Sequence, residues 1–381
     1  MKALSLHLNG LKKIYQMIRL CKPLIKENSL LTYNKILKSG YIVQGKYVKN
    51  FEKKLQKYLN INNAILVSSG TAALHLALIV LGVKKGDEVI IPSFSYIATA
   101  NVVEIVGAKP IFIDISLKDY CLDPNKIQKS ISSKTKAIMP VHEFGYPAEI
   151  KSILKIAKNN NLYLIEDSAC GLGSSYNNKK LGTFGNIGCF SFHPRKSITT
   201  GEGGLLVTNN NTIANKIRSL RNHGISISNK KYVFDLVGFN YRMTDFQAAL
   251  GIDQLNYIEK IHNHKKKIAK LYNKFLSHIS WVKLPIIEKN KETNFQSYHI
   301  LLDKNIKRDK LIKYLYRHKI ETNYGAQAIH IQKYFKNKYK FENNSFPNSY
   351  YAYKKGLVLP IGLHVTENDV KKIAKKLESF L

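Results

Sequence analysis

The sequence predicts an α/β fold: a mostly parallel central sheet flanked by helices, with a smaller α+β domain at its C-terminal end. Two observations carry that expectation. From about residue 64 to 208, short apolar runs alternate with amphipathic helical stretches, the pattern of strand-helix-strand units. Past Asp245 the alternation stops and longer helical periodicity takes over. At 381 residues, 44% hydrophobic and 23% charged, the chain has the length for a substantial core and the composition of an ordinary globular protein.

Residues 64–67, 88–91, 110–113, 137–141 and 162–165 are short, apolar and bounded by turn or charged residues, and each predicts a strand. Residues 185–192 and 203–208 predict two more. Between them Leu74, Ala77, Leu78 and Leu81 share one helical face, as do Ile150, Ile153, Leu154 and Ala157. That alternation calls for helices on both faces of a parallel sheet. One long helical stretch is expected from 246 to about 276, charge-rich over 260–274. A strand at 298–302, a helix around 311–318 and a last helix with Val370, Ile373, Ala374 and Leu377 on one face complete the smaller domain. Residues 333–348, polar and aromatic, read as a surface loop. There is no internal repeat and no low-complexity linker.

Composition narrows the function. The formal charge is +34, from 60 Lys and Arg against 26 Asp and Glu. Arginine, the residue for bidentate contacts to bases and phosphates, is scarce, and lysine is spread along the whole chain, which argues against a nucleic-acid binder. No apolar run approaches a membrane span, and the first residues lack a signal-peptide pattern, so a cytoplasmic protein with no membrane partner is expected. Cys21, Cys121, Cys170 and Cys189 are scattered without metal-ligand spacing; free thiols and no metal are expected.

Lys196 stands between two predicted strands, in Ser191-Phe192-His193-Pro194-Arg195-Lys196-Ser197, where functional residues concentrate. Upstream, Ile165-Glu166-Asp167-Ser168-Ala169 sets a carboxylate at a strand's carboxyl end, the edge at which open α/β sheets bind ligands. A lysine that condenses with an aldehyde, and a carboxylate that keeps a pyridine nitrogen protonated, are what pyridoxal 5'-phosphate (PLP) chemistry asks of a protein. Lys196 must be neutral to attack, and partial desolvation is expected to help. Each residue alone also has a plain reading, as surface charge or as a helix cap.

Ser68-Ser69-Gly70-Thr71-Ala72-Ala73-Leu74 joins a strand to a helix. Its small residues let the backbone approach a phosphate at the helix N-terminus, and they equally fit an ordinary Ser/Thr cap. Tyr96, in Pro92-Ser93-Phe94-Ser95-Tyr96, suits either stacking on a planar ring or a place in the core. Gly70, Thr71, Tyr96, Asp167, Ser191 and Lys196 all fall at strand-terminal turns, so they can converge on one rim.

Together with Gly86-Asp87-Glu88-Val89-Ile90, Pro140-Val141-His142, Gly238-Phe239-Asn240-Tyr241-Arg242-Met243 and Leu359-Pro360, these motifs make the chain similar, from about Met17 onward, to one family. It resembles the DegT/DnrJ/StrS PLP-dependent sugar aminotransferases, built on the aspartate-aminotransferase (PLP type I) fold. The resemblance implies that Lys196 holds the cofactor as a Schiff base (the internal aldimine) and shuttles protons, while Asp167 pairs with the pyridine nitrogen. Gly70, Thr71 and Ser191 would hold the phosphate, and Tyr96 would stack on the ring. Asn240 matches an asparagine that reaches the phosphate of the neighbouring subunit, which implies a homodimer. His330 sits where the family often carries a substrate-side histidine, although a core or exposed histidine fits as well.

The implied reaction moves an amino group, with glutamate as the expected donor, to the keto carbon of a nucleotide-diphosphate keto-deoxysugar, an anion that the basic chain would attract. Its product would feed polysaccharide, glycan or antibiotic sugar assembly. The implied organisation is an extension at 1–16, a large PLP-binding domain at 17–260 and a small domain at 261–381. Two residues depart from the family pattern. Cys170 stands where many members carry Gln, His or Glu near the cofactor hydroxyl, either as a reactive thiol or as a small packed residue. Asn323 replaces a frequent arginine. The alternatives are a PLP-dependent sugar dehydratase, whose members replace the lysine by histidine, and a non-catalytic regulatory protein on the same fold. Lys196 counts against the first, and Lys196 together with Asp167 against the second.

Overall fold

The computed structural model describes residues 17–26, 29–228 and 231–381; the extension expected at 1–16 lies outside them. Seven strands form the central sheet: β1 (Asn63–Val67), β2 (Glu88–Pro92), β3 (Lys109–Ile113), β4 (Thr135–Ile138), β5 (Tyr163–Asp167), β6 (Ile187–Ser191) and β7 (Gly204–Thr208). Their order is β1-β7-β6-β5-β4-β2-β3. The neighbours from β6 to β3 are parallel, whereas β7 runs antiparallel to both β1 and β6.

Side chains alternate across a strand, so Ile65 and Val67 enter one layer of helices while Ala64 and Leu66 enter the other. Both faces are covered. That is why these strands read as near-continuous apolar runs rather than alternating ones, and every residue of β1 and β7 is buried. The helix Gly70–Val80 packs between layers that leave only Gly70, Thr71 and Ile79 less than buried, and its start lies at the carboxyl edge of the sheet.

A second core surrounds a smaller antiparallel sheet of β8 (Val282–Lys283), β9 (Tyr298–Leu302) and β10 (Gly356–Leu359), in that order. The helices Ile258–Leu276, Arg308–Arg317 and Glu367–Glu378 bring Tyr272, Leu276, Leu315, Ile373 and Leu377 into it. Ile18 joins the same core, its N–H donating to the Lys319 carbonyl at 2.8 Å and its own carbonyl accepting from Glu321 at 2.9 Å. The boundary expected at 260/261 falls inside the helix Ile258–Leu276.

Two expectations are corrected here. The continuous helix expected from 246 to 276 is two helices, Asp245–Leu255 and Ile258–Leu276, parted where the Asn256 and Tyr257 N–H groups turn back to Asp253 and Gln254. No Gly or Pro marks the break; packing imposes it. Gly251 lies so close to the Phe51 ring that a Cβ there would come within 2.2 Å, which ties the first helix to Lys46–Leu59, while the second is claimed by the smaller core. The loop expected at 333–348 holds a helix, Lys333–Tyr339, and a 3-10 turn, Asn343–Ser345. Two of its aromatics pack inward: the rings of Phe335 and Phe341 meet Phe112 edge-on at 5.6 and 5.5 Å.

Candidate active site

At the carboxyl edge of β5 and β6 a cavity of about 520 Å³ opens, and Lys196, Asp167, Gly70, Thr71, Tyr96 and Ser191 all line it. Strand ends far apart in sequence therefore reach one rim, a general property of parallel sheets.

β5 ends on two carboxylates that point to opposite faces. Glu166, fully buried, accepts the N–H groups of Gly182, Phe184 and Gly185 at 2.8, 2.6 and 2.7 Å, and His142 Nε2 lies 3.1 Å away. His142 Nδ1 accepts from Ala148 N–H at 3.1 Å, which assigns the ring proton to Nε2 and makes it a donor to Glu166. Asp167 faces the cavity. It accepts from Thr99 Oγ1 at 2.8 Å and from Ala169 N–H at 3.2 Å. Burial raises its pKa above the ordinary carboxylate value, against the pull of those two donors and of Lys196.

Lys196 sits in the loop between β6 and β7, closed by the hydrogen bonds Phe192 N to Gly203 O at 2.9 Å and Thr200 N to Phe192 O at 3.0 Å. Its Nζ donates to Cys170 Sγ at 3.0 Å. Burial pushes the amine's pKa down, but Cys170, Glu143 and Asp167 together outweigh it, and the ammonium is held above its ordinary value. Desolvation does not free the amine as the sequence reading expected, because three acidic groups share its cavity. Cys170 makes this contact while its own thiol is pushed up by burial.

At Gly70 the helix comes so close to β6 that an added Cβ would stand 2.9 Å from the Ser191 Cβ. Ser69 caps the helix by accepting the Ala72 N–H at 3.0 Å, so the cap and a backbone cradle coexist. The N–H groups of Gly70 and Thr71 head the helix and have no carbonyl one turn back. Tyr96 is 66% exposed, at the cavity's mouth and out of the core.

Two predicted residues are not brought in. Asn240 is exposed, bridged to Asn222 and flanked by Phe239 and Tyr241, whose rings stack at 5.0 Å beside His75. His330 is fully buried away from the cavity lining, Nε2 3.3 Å from the Asn343 carbonyl and its ring 5.0 Å from that of Phe346; it occupies the core. Asn323 does line the cavity, but its Oδ1 accepts from Gly325 N–H at 3.1 Å and so shapes the wall.

Sequence reasoning passed over Thr99 and Glu143. Glu143 is 5% exposed and lines the cavity. Burial pushes its carboxyl up to about 7, with Lys196 opposing the rise and Asp167 adding to it. The turn that aims it, Glu143–Gly145, carries Phe144 at φ 56 and Gly145 at φ 86, and a left-handed phenylalanine is a costly conformation that local sequence does not announce. The available signal was a carboxylate just after Pro140-Val141-His142. Among the described residues no cluster of His, Cys, Asp and Glu could hold a metal ion, and no helix is long and apolar enough to cross a membrane.

The DegT/DnrJ/EryC1/StrS aminotransferase family matches residues 23–378. A GDP-perosamine synthase from Vibrio cholerae is 35% identical over 375 residues, 96% of this chain and 99% of that protein. Among solved structures, Helicobacter pylori PseC, an aminotransferase involved in the biosynthesis of pseudoaminic acid, superposes with a TM-score of 0.89 at 26% identity, covering 96% of this chain and all of that one. Spr1654 from Streptococcus pneumoniae in its PMP form gives a TM-score of 0.91 at 25% identity, over 95% and 97% of the two chains. The match along nearly the whole sequence, on a type I fold, means that the chain belongs to the DegT/DnrJ/EryC1/StrS aminotransferases and is a sugar aminotransferase.

Proposed function

We propose that the chain transfers an amino group from glutamate to the keto carbon of a nucleotide-diphosphate keto-deoxysugar, with PLP anchored at Lys196. The observation that carries this reading is the convergence of the Lys196 amine, the Asp167 carboxylate and the Gly70 helix start in one cavity. Those residues fit the group. The absence of a side chain at Gly70 leaves an approach that a Cβ would close against Ser191, and the leading N–H groups suit a phosphate. Asp167 is buried with two neutral donors, so a pyridinium would supply the opposite charge its desolvation calls for. Bound there, PLP supplies the electron sink.

The chain's own groups do the rest. Asp167, oriented by Thr99 and Ala169, would keep the ring nitrogen protonated. Lys196 Nζ would hold the cofactor and, when free, would hold and move a proton; Cys170 at 3.0 Å steadies it. Tyr96 at the mouth would cover the ring and limit water. The net charge of +34 favours arrival of an anionic nucleotide sugar.

A homodimer completes the site in this reading, the partner subunit's Asn240 reaching the phosphate. Exposure supports it. Leu30, Leu31 and Leu37 on Ser29–Ser39, Tyr41 just after, Phe234 at the end of the strand Lys231–Phe234 and Val237 just after it are left open to solvent in the single chain, apolar side chains that a second copy could cover. The deciding experiment loads the protein as its pyridoxamine phosphate form and adds a panel of nucleotide ketosugars, GDP-linked ones first because of the Vibrio cholerae relative's name. One ketosugar should regenerate the PLP absorbance within turnover time. Regeneration by simple 2-keto acids alone would overturn the sugar assignment.

A further inference from the structure

We infer that Glu143 faces the ring hydroxyl of the bound cofactor and hydrogen-bonds to it, so that this chain recognises the cofactor through a second carboxyl, besides the Lys196 and Asp167 contacts. The inference rests on the PLP reading above.

Topology supplies the placement. Along the carboxyl edge the strands run β1-β7-β6-β5-β4, so the Gly70 turn after β1 and Ser191 at the end of β6 lie on one side of Asp167, and Glu143, beyond β4, lies on the other. In PLP the ring nitrogen and the aldehyde carbon are opposite each other. One flank between them carries the phosphate arm, the other the hydroxyl and the methyl group. With the nitrogen at Asp167, the aldehyde at Lys196 and the phosphate at Gly70 and Ser191, the hydroxyl flank turns toward Glu143.

Chemistry points the same way. Glu143 is 5% exposed, and its protein partners are the Ser95 hydroxyl and the N–H of its own turn at Phe144. A carboxyl so far removed from water is costly unless further polar groups meet it, and it lines the cavity. The left-handed backbone at Phe144 is the strain that keeps it there. Cys170, on the same flank, spends its sulfur on Lys196 and is a weak hydrogen-bonding group, which leaves the ring hydroxyl to Glu143.

The test is a cycle between a protein group and a cofactor group. Dissociation constants of PLP and of 3-deoxypyridoxal 5'-phosphate, which lacks the hydroxyl, are measured for the apo forms of wild type, Glu143→Gln and Glu143→Leu, with circular dichroism confirming that each is folded. Wild type should prefer PLP by about 10-fold or more, the worth of a hydrogen bond to a charged group, and in Glu143→Leu that preference should fall at least about fivefold. Glu143→Gln, which keeps a hydrogen-bonding end and should fold even if Leu does not, should retain part of it. An unchanged preference in a folded variant overturns the inference and leaves the PLP reading standing. If that variant instead raises only the Michaelis constant for the amino donor, Glu143 serves the donor. Failure of wild type to bind PLP overturns both.

Discussion

Glu166 and Asp167 are neighbours on one strand and both are buried, yet the regions they enter differ in kind. Behind the sheet, Glu166 is met by three backbone N–H groups and His142, every lone pair supplied from the fold. In front, Asp167 has Thr99 and Ala169 and then the cavity. A buried carboxylate saturated with protein donors organises structure. One left short of donors at the carboxyl edge is arranged for a ligand, and the same chemistry is divided between the two tasks by which way the pleat turns.

Separating those tasks by mutation gives the largest expected effects. Glu166→Ala leaves three N–H groups and His142 without a partner and should cost about 3–5 kcal/mol, read as a lower denaturation midpoint. Asp167→Asn should keep a near-wild-type midpoint and lose transamination by at least about 100-fold, since an amide cannot hold a pyridinium charge. Equal loss of stability in both variants would erase the distinction. Gly70→Ala comes next. Its Cβ meets Ser191, so PLP affinity should fall by about 10-fold, measured on the apo protein, with a smaller change in stability.

A smaller effect is expected at Cys170. If the sulfur only steadies Lys196, Cys170→Gln should leave kcat within about an order of magnitude, checked by steady-state rates. Abolished turnover would give the thiol a role of its own. The mildest prediction concerns acid. His299 is fully buried with, among the described residues, no hydrogen-bond partner for either ring nitrogen, stacked on Phe144 at 4.4 Å, and burial lowers its pKa to about 3. A histidine whose folded pKa is depressed adds stability above its unfolded value of about 6.5 and loses it as pH falls toward 3. The denaturation midpoint should therefore drop progressively below about pH 6.5, and His299→Phe should flatten that limb.

The same comparison explains what could be read from the sequence. The strands and their carboxyl ends were legible because burial on both faces leaves short apolar runs, and a residue at the end of such a run must reach the rim. Asp167, Lys196, Gly70, Thr71 and Ser191 followed from that rule, and the family resemblance gave them roles. Glu143 was not legible: β4 ends at Ile138, and its aim depends on a left-handed Phe144. The break at Asn256 and Tyr257 has no residue that demands it, and the helix Lys333–Tyr339 is fixed by aromatic packing on Phe112 rather than by a strong local signal. His330 illustrates the reverse case, a position whose family role the surrounding core does not provide.

The direct test of the central claim, that the Lys196 and Asp167 cavity is where nitrogen is transferred, is to add PLP, reduce with borohydride and map the labelled peptide by mass spectrometry. With Lys and Arg numbering 60, indiscriminate imine formation would scatter over many peptides. One dominant pyridoxyl label is expected, on Lys196, lost in Lys196→Ala along with transamination while the fold remains. A dominant label on another lysine, or normal turnover by Lys196→Ala, would contradict it.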